Sequence, residues 1–349
     1  MKSALQGEWE EDMRSGLATA LVMLGFAALQ GACAQEADWD KVVAAAKKEG
    51  SVTVYHAQLG APHWKMVVQN FEKTYGIKVQ EFDARASEIT ERIRTEQTSQ
   101  RFVADVEFHG DSSILAQRET DFVAEHGGMP NIKNLRPPFV ANSHSVPAWV
   151  QVVCTLVNTS MVKPADEPKV WKDLLDPKWK GRILTDDMRA AGSGQTVFAV
   201  LYKTYGEGFL EKLKAQDMGV GRDLQEDSRR VARGEYPIFI NQIIAFASPL
   251  KGLPVKVAVM EDGCPFTPIQ GAILKGAPHP TSGRLFINHL ISKESQVIYA
   301  KAWMGIVTQG VEDELTDPDA KRFAQVKLMG SVSFEDREPM LKRATEMFK

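Results

Sequence analysis

Residues 270–301, QGAILKGAPHPTSGRLFINHLISKESQVIYAK, constrain the fold more than any other stretch, because a strand, a turn and two helices follow one another almost without linkers. Ala272–Leu274 reads as a short apolar strand. Gly276 permits positive φ, while Pro278 and Pro280 fix φ and remove donors, which suits an abrupt reversal. On the helix that follows, Leu285, Phe286, His289 and Leu290 fall at i, i+1, i+4 and i+5, predicting one buried stripe. Ser292 is placed to cap a second helix, with Glu294 favoured in its first turn.

The same economy runs upstream. A helix is expected over Trp39–Lys48, ended by Gly50, then a strand at Ser51–His56 and an amphipathic helix at Pro62–Tyr75 with Trp64, Val67, Val68 and Phe71 on one face. Ile77–Phe82 is the next strand, Glu88–Gln97 a helix, Phe102–Phe108 a third strand, and a further helix starts near Asp111. Strands alternating with helices at this spacing imply an α/β sheet covered on both faces, and ligands in such sheets bind outside the carboxyl ends of the strands.

The pattern breaks at the proline-rich Pro137–Pro147 and resumes as a long strand, Trp149–Asn158. A second α/β unit follows: a tryptophan-bracketed turn (Trp171–Trp179), a strand at Arg182–Leu184, helices at Gln195–Tyr205 and Phe209–Ala215, and a strand at Tyr236–Asn241. Lys256–Met260 reads as the strand returning to the first unit. The expected organisation is therefore one lobe from 38–147 plus 258–349 and a second from 148–257, with hinges near Val146–Gln151 and Leu253–Val257. A chain of 349 residues is long enough for two such cores.

Composition supports a globular chain with no polyanionic partner: 44% of residues are hydrophobic, 25% are charged, and the formal net charge is −3. No basic footprint for nucleic acid is present. Leu17–Leu29 is an apolar run behind Arg14, of signal-peptide length, and Ala32-Cys33-Ala34 supplies small residues for cleavage before Gln35. Residues 1–34 are thus expected to be a signal peptide directing the chain to the periplasm. The acidic Glu8–Asp12 suits Met13 better as the initiator, and lipid anchoring at Cys33 is the lesser alternative. Export implies an oxidising compartment. Of the two later cysteines, Cys154 lies in an apolar strand and Cys264 in a turn-like Asp-Gly-Cys-Pro; two buried thiols are expected, with a disulfide the alternative.

The segments VTVYHAQ, FEKTYGIKVQ, VADVEFHG, WKDLLDPKWKGRI and VARGEYPIFIN, together with 270–301, resemble the extracellular solute-binding proteins, family 1, of bacterial ABC importers, from about Val52 to Lys301. The resemblance implies a type II periplasmic binding protein: two α/β lobes joined by crossover strands, a solute cleft between them, closure on binding, and docking onto an inner-membrane ABC permease. It is nearest to the ferric-iron-binding branch, whose histidine, glutamate and paired tyrosines would fall at Leu59, Gly110, Ile243 and Ile244. None of these can ligate a hard cation, so no metal and no cofactor are expected, and ferric iron is the alternative cargo.

An apolar wall with a few polar groups is how small-molecule clefts look. Candidates for ligand contact are His56 and Gln58 after the first strand and Arg85 after the second, where a guanidinium suits a carboxylate or phosphate. Ser112 and Ser113 open one helix; Ser193 and Gly194, in Ala191-Gly-Ser-Gly-Gln195, open another, and helix starts suit anions. Asp186 lies on the loop before that second helix, and Asn241 and Gln242 lie at a strand end. Each has a plainer reading as cap, loop pair or solvated side chain. No G-x-S-x-G, P-loop or H-E-x-x-H motif is present, so catalysis is not expected. The chain reads as a monomeric binding component for a small organic solute, an anion or carboxylate, with a ligand-sensing periplasmic subunit as the rival role.

Overall fold

The computed structural model describes residues 38–349; the expected signal segment, the cleavage site before Gln35 and Cys33 lie outside the described residues. Helix α1 (38–49) leads into β1 (Ser51–His56), α2 (Pro62–Tyr75), β2 (Lys78–Asp83), α3 (Ala86–Thr98), β3 (Val106–Gly110) and α4 (Asp111–Glu119). The short β4 (Val123–Ala124) precedes the long β5 (Ser145–Asn158). Then come β6 (Ile183–Asp186), α5 (Ser193–Tyr205), α6 (Glu207–Lys214), β7 (Gly219–Gly221), α7 (Leu224–Ala232) and β8 (Ile238–Ile243). β9 (Val255–Ala258), β10 (Cys264–Leu274), α8 (Pro280–Leu290), α9 (Lys293–Lys301), α10 (Pro318–Ala324), β11 (Leu328–Gly330) and α11 (Phe334–Met347) follow.

The strands form one sheet in the order β2-β1-β3-β10-β5-β8-β6-β7. At one end β1 runs parallel to β2 and β3; at the other β6 runs parallel to β7 and β8. Between them β10 and β5 pair with each other antiparallel. β5 is nearly continuously buried, as a central strand must be, and it changes partners midway. Ser145 to Val152 pair with β10, whereas Val153 to Asn158 pair with β8 and β9. This α/β architecture agrees with the type II expectation from the sequence.

The return strand is β10 rather than Lys256–Met260, because β9 pairs with β5 far along the second half. Pro265, Pro268 and Gly271 disguise β10 as turn; Pro268 is nonetheless in register with Val150, and an irregularity falls between Ile269 and Gln270. Cys154 and Cys264 are disulfide-bonded, with Cα atoms 5.3 Å apart. The expectation of two free thiols is thus corrected: the turn-like Cys264 is the first residue of β10, and it continues by two positions the Phe266–Val152 register that leads to Cys154. The pairing of neighbouring strands supplies the disulfide geometry.

Each half packs around aromatic anchors. Trp64 stacks on Phe108 at 4.9 Å and meets Phe286 edge-on, and its indole N–H donates to Glu81. Helix α8 is buried on more than the predicted stripe: Ile287 is as inaccessible as Leu285 and Leu290, and Asn288 is buried too, because the helix is flanked by strands, by α2 and by the 3-10 turn Pro130–Asn134. Ser292 caps α9 as expected, accepting from Ser295 N.

Candidate functional site

A cavity of about 410 Å³ lies off the carboxyl ends of the strands. Its wall is drawn from every part of the sheet. Ala86, Gly110 and Ser113 follow β2 and β3; Ala191, Gly192, Ser193 and Gln195 follow β6; Ile243 ends β8. Gln151, Val153, Thr267 and Pro268 come from the two middle strands. Thr196 on α5 lies 3.2 Å from Thr267 on β10, hydroxyl to hydroxyl, tying the helix to a middle strand.

The sequence candidates divide in space. Ser113 and Ser193 line the cavity, and Gly194 adjoins it on the first turn of α5. Gly194 meets a packing requirement: a Cβ there would stand 2.4 Å from the Asp187 carbonyl oxygen. Ser112 is the second residue of α4.

Asp186 turns towards α5, accepting from Ser193 Oγ at 3.0 Å and Gly194 N at 2.9 Å. Asn241, fully buried, accepts from Thr185 Oγ1 and Asp186 N, so it fixes the end of β6. Gln242 is equally buried and is bonded to Ser228 Oγ and the Ile243 carbonyl.

His56, Gln58 and Arg85 are not among the residues lining the cavity. The buried His56 ring meets Glu81 at 2.9 Å and Asp83 at 3.3 Å, and Gln58 N approaches its Nδ1. Arg85 is exposed at the start of α3, where its backbone N–H donates to Glu88. Its neighbour Ala86 supplies the lining contact instead.

Asp187, next along the β6 loop, is buried beneath two guanidinium groups. Arg189 bonds both of its oxygens, at 2.8 and 3.0 Å, and Arg222 reaches it at 3.2 Å. The Arg189 bond above all holds the carboxyl at a pKa of about 2, against its ordinary 3.8. These charges fix the loop by mutual pairing.

Arg337, on α11, also lines the cavity, and sequence reasoning missed it. It is the one residue with a formally charged side chain among the described lining residues. Gln195 Nε2 donates to its carbonyl at 2.5 Å. The only sequence signal is an amphipathic, mostly polar helix carrying no ligand motif.

Of the four positions at which the resemblance puts iron ligands, Gly110 and Ile243 line the cavity, Ile244 is buried and Leu59 is 67% exposed. A glycine and an isoleucine offer no donor at the wall, and no group of three or more histidine, cysteine, aspartate or glutamate side chains suited to a metal ion occurs among the described residues. No helix among them is long and apolar enough to cross a membrane.

The chain is 29% identical over 181 residues to an uncharacterized protein of Haemophilus influenzae, a match covering 49% of this chain and about half, 51%, of that relative's length. It is 26% identical over 271 residues to a candidate 2-aminoethylphosphonate-binding periplasmic protein of Salmonella typhimurium, covering 71% of this chain and 76% of the relative. Among solved structures it resembles Trichodesmium IdiA (FutA) in complex with iron and citrate ligands, with a TM-score of 0.71 and 19% identity over 85% of this chain and 99% of that one. The family model for bacterial extracellular solute-binding proteins matches residues 109–327, more than half of the chain. With that match spanning the middle strands and most of the cavity wall, the chain belongs to the bacterial extracellular solute-binding proteins.

Proposed function

We propose that the protein is the periplasmic substrate-binding component of an ABC importer and holds a small organic anion in the cavity off the strand ends. One observation carries the reading: a single cavity takes its wall from both ends of the sheet and from both strands that join them. A solute there touches all of these elements at once, and contacts complete only when the ends approach favour the approached state. In this reading 38–147 plus 258–349 form one lobe and 148–257 the other, with bending near Val146–Gln151 and along the returning β10 rather than at Leu253–Val257.

Ser113 and Ser193 contact solute directly. Asp186, Asn241 and Gln242 hold the β6 and β8 ends in place behind them, while His56, Gln58 and Arg85 lie outside the lining. Family membership supports binding without turnover, export to the periplasm by the N-terminal segment, and delivery by a monomer to an inner-membrane permease. The Salmonella relative's printed ligand, a small organic phosphonate, supports an anion. The cavity's hydroxyl and amide groups suit one better than ferric iron, for which Gly110 and Ile243 supply no ligand.

Native mass spectrometry of protein purified from an exporting host tests this, with a retained small organic acid expected. A thermal-shift screen in which only ferric salts, polyamines or neutral sugars raise the Tm would overturn the anion reading.

A further inference from the structure

We propose that the cavity wall at the junction of β6 and α5 is a subsite for a protonated amine, so that the solute is a zwitterion. Its ammonium is held by the hydroxyl oxygens of Ser193, Thr196 and Thr267 in front of Asp186, and its oxyanion lies towards Ser113. This rests on the solute-binding reading above and names the chemistry of its cargo. Three observations carry it.

The first is where the hydroxyl hydrogens go. Each hydroxyl has one to donate. That of Ser193 goes to Asp186 Oδ2 at 3.0 Å, and that of Thr196 to the Gly192 carbonyl at 3.0 Å. Thr267, 3.2 Å from the Thr196 oxygen, is therefore the donor of that pair. All three residues line the cavity. With their hydrogens committed inside the chain, they meet a solute with lone pairs, and they donate to an oxyanion only by breaking a bond of their own. Such a wall suits N–H groups.

The second is charge. Both partners of the Asp186 carboxylate, Ser193 Oγ and Gly194 N, are neutral donors, and among the described residues no basic side chain pairs with it. The neighbouring Asp187 is matched by Arg189 and Arg222. The positive end of α5 offsets only about half an elementary charge, so this part of the wall stays net negative.

The third is placement. Ser193 and Thr196, three apart, share one face of α5, and Thr267 meets Thr196 from β10. An ammonium has three hydrogens to donate, one for each of these oxygens. Ser113 on α4 and Gln151 on β5 also line the cavity, and their side chains make no hydrogen bond among the described residues, so their donors remain for an acid. Ser113 follows β3 and Ser193 follows β6, strands towards opposite ends of the sheet. A solute with separated charges spans that gap in one orientation.

The test is isothermal titration at pH 7 of the full protein, cleared of retained solute, with two matched pairs: 2-aminoethylphosphonate against ethylphosphonate, and β-alanine against propionate. The members of a pair differ in the amine alone. In the pair that binds, the amino member is expected to bind at least ~10-fold more tightly, the order of one hydrogen bond to a charged group. Asp186→Asn keeps an oxygen for Ser193 and Gly194 but removes the charge, and should cut that preference at least ~5-fold through the amino member. Thr267→Val removes one acceptor and should cut it less. A structural role alone would weaken both members of a pair alike. Amine-free acids that bind wild type as tightly as their amino partners overturn the inference and leave the anion reading standing. A preference unchanged in both variants overturns it too. Should Asp186→Asn lack a cooperative melt, an unchanged preference in Thr267→Val is enough to overturn it. A wild-type protein that takes up neutral sugars, polyamines or ferric salts but none of the four acids overturns this inference and the anion reading together.

Discussion

Asp186 accepts a 3.0 Å hydrogen bond from the hydroxyl of Ser193, closing the loop between β6 and α5 on itself. The residue that ends the strand therefore acts as the cap of the helix it precedes, although seven positions separate the two. Gly194 N donates to the same carboxylate oxygen. Replacing Asp186 by Ala removes both bonds and should lower stability by about 1–2 kcal/mol, the usual range for a lost helix cap. Ser193→Ala removes one of them and should cost less. Urea denaturation of the two variants measures the difference; equal losses would show that the Ser193 bond to Asp186 carries the cap and the Gly194 bond adds nothing.

The Cys154–Cys264 bond closes a loop of sequence separation 110. In the chain-entropy description, a loop near 100 residues contributes about 4–5 kcal/mol by restricting the unfolded chain. The double Cys→Ala variant should unfold at distinctly lower denaturant than oxidised wild type. A reducing agent should shift wild type towards it and leave the variant unmoved, as equilibrium melts with and without reductant would show.

Asp187 supplies a pH signature of the β6 loop. Its carboxyl is held at about 2 by Arg189 and Arg222, below its ordinary 3.8. A carboxyl depressed in the folded state stabilises above its unfolded pKa and loses that contribution as pH falls through the folded one. The shift corresponds to about 2 kcal/mol. Asp187→Asn should thus be less stable than wild type by roughly that amount at pH 7, and the gap should narrow between about pH 4 and 2. Denaturation of both proteins across that range is the check.

His63 and His289 act in a higher window. Burial of each ring pushes its pKa from 6.5 down to about 4. Both fold neutral, so the stability they allow is complete above pH 6.5 and declines as pH falls towards 4, by about 3 kcal/mol for each ring. His289 sits among Phe71 and Tyr75, so His289→Phe should fold and lose stability less steeply between pH 6.5 and 4. An unchanged slope in denaturation midpoints would show that the ring is not protonated on unfolding.

The first half of the fold was legible because its signals are local. In α2, the Trp64, Val67, Val68 and Phe71 face and the left-handed Gly76 that ends the helix both belong to the contiguous sequence. Ser292 announced α9 for the same reason. Of β10 only its apolar end, Ala272–Leu274, was legible; the rest was hidden because prolines and a glycine occupy a strand whose hydrogen bonds come from several distant partners. The disulfide followed from that error, since Cys264 read as turn gave no reason to stand opposite Cys154. Among site residues, Ser113 and Ser193 were visible as helix starts after strands, and the cavity lies where the strand ends predicted. Asn241 and Gln242 sit at the expected strand end with buried partners that only tertiary packing reveals. Arg337 left no trace, because α11 is mostly polar and reaches the cavity through its docking on α5 rather than through any motif of its own.

The stitch between β5 and β10 limits how the halves can travel. Since it joins residues already opposite one another across the ladder, neither strand can slide lengthwise past the other at that point. Flexing out of the sheet plane remains soft, whereas shear along the ribbon does not. In the two-lobed reading proposed above, motion of one end of the sheet against the other is thereby reduced towards a rocking about a line across both strands, and a solute would be met by a jaw that shuts along one arc.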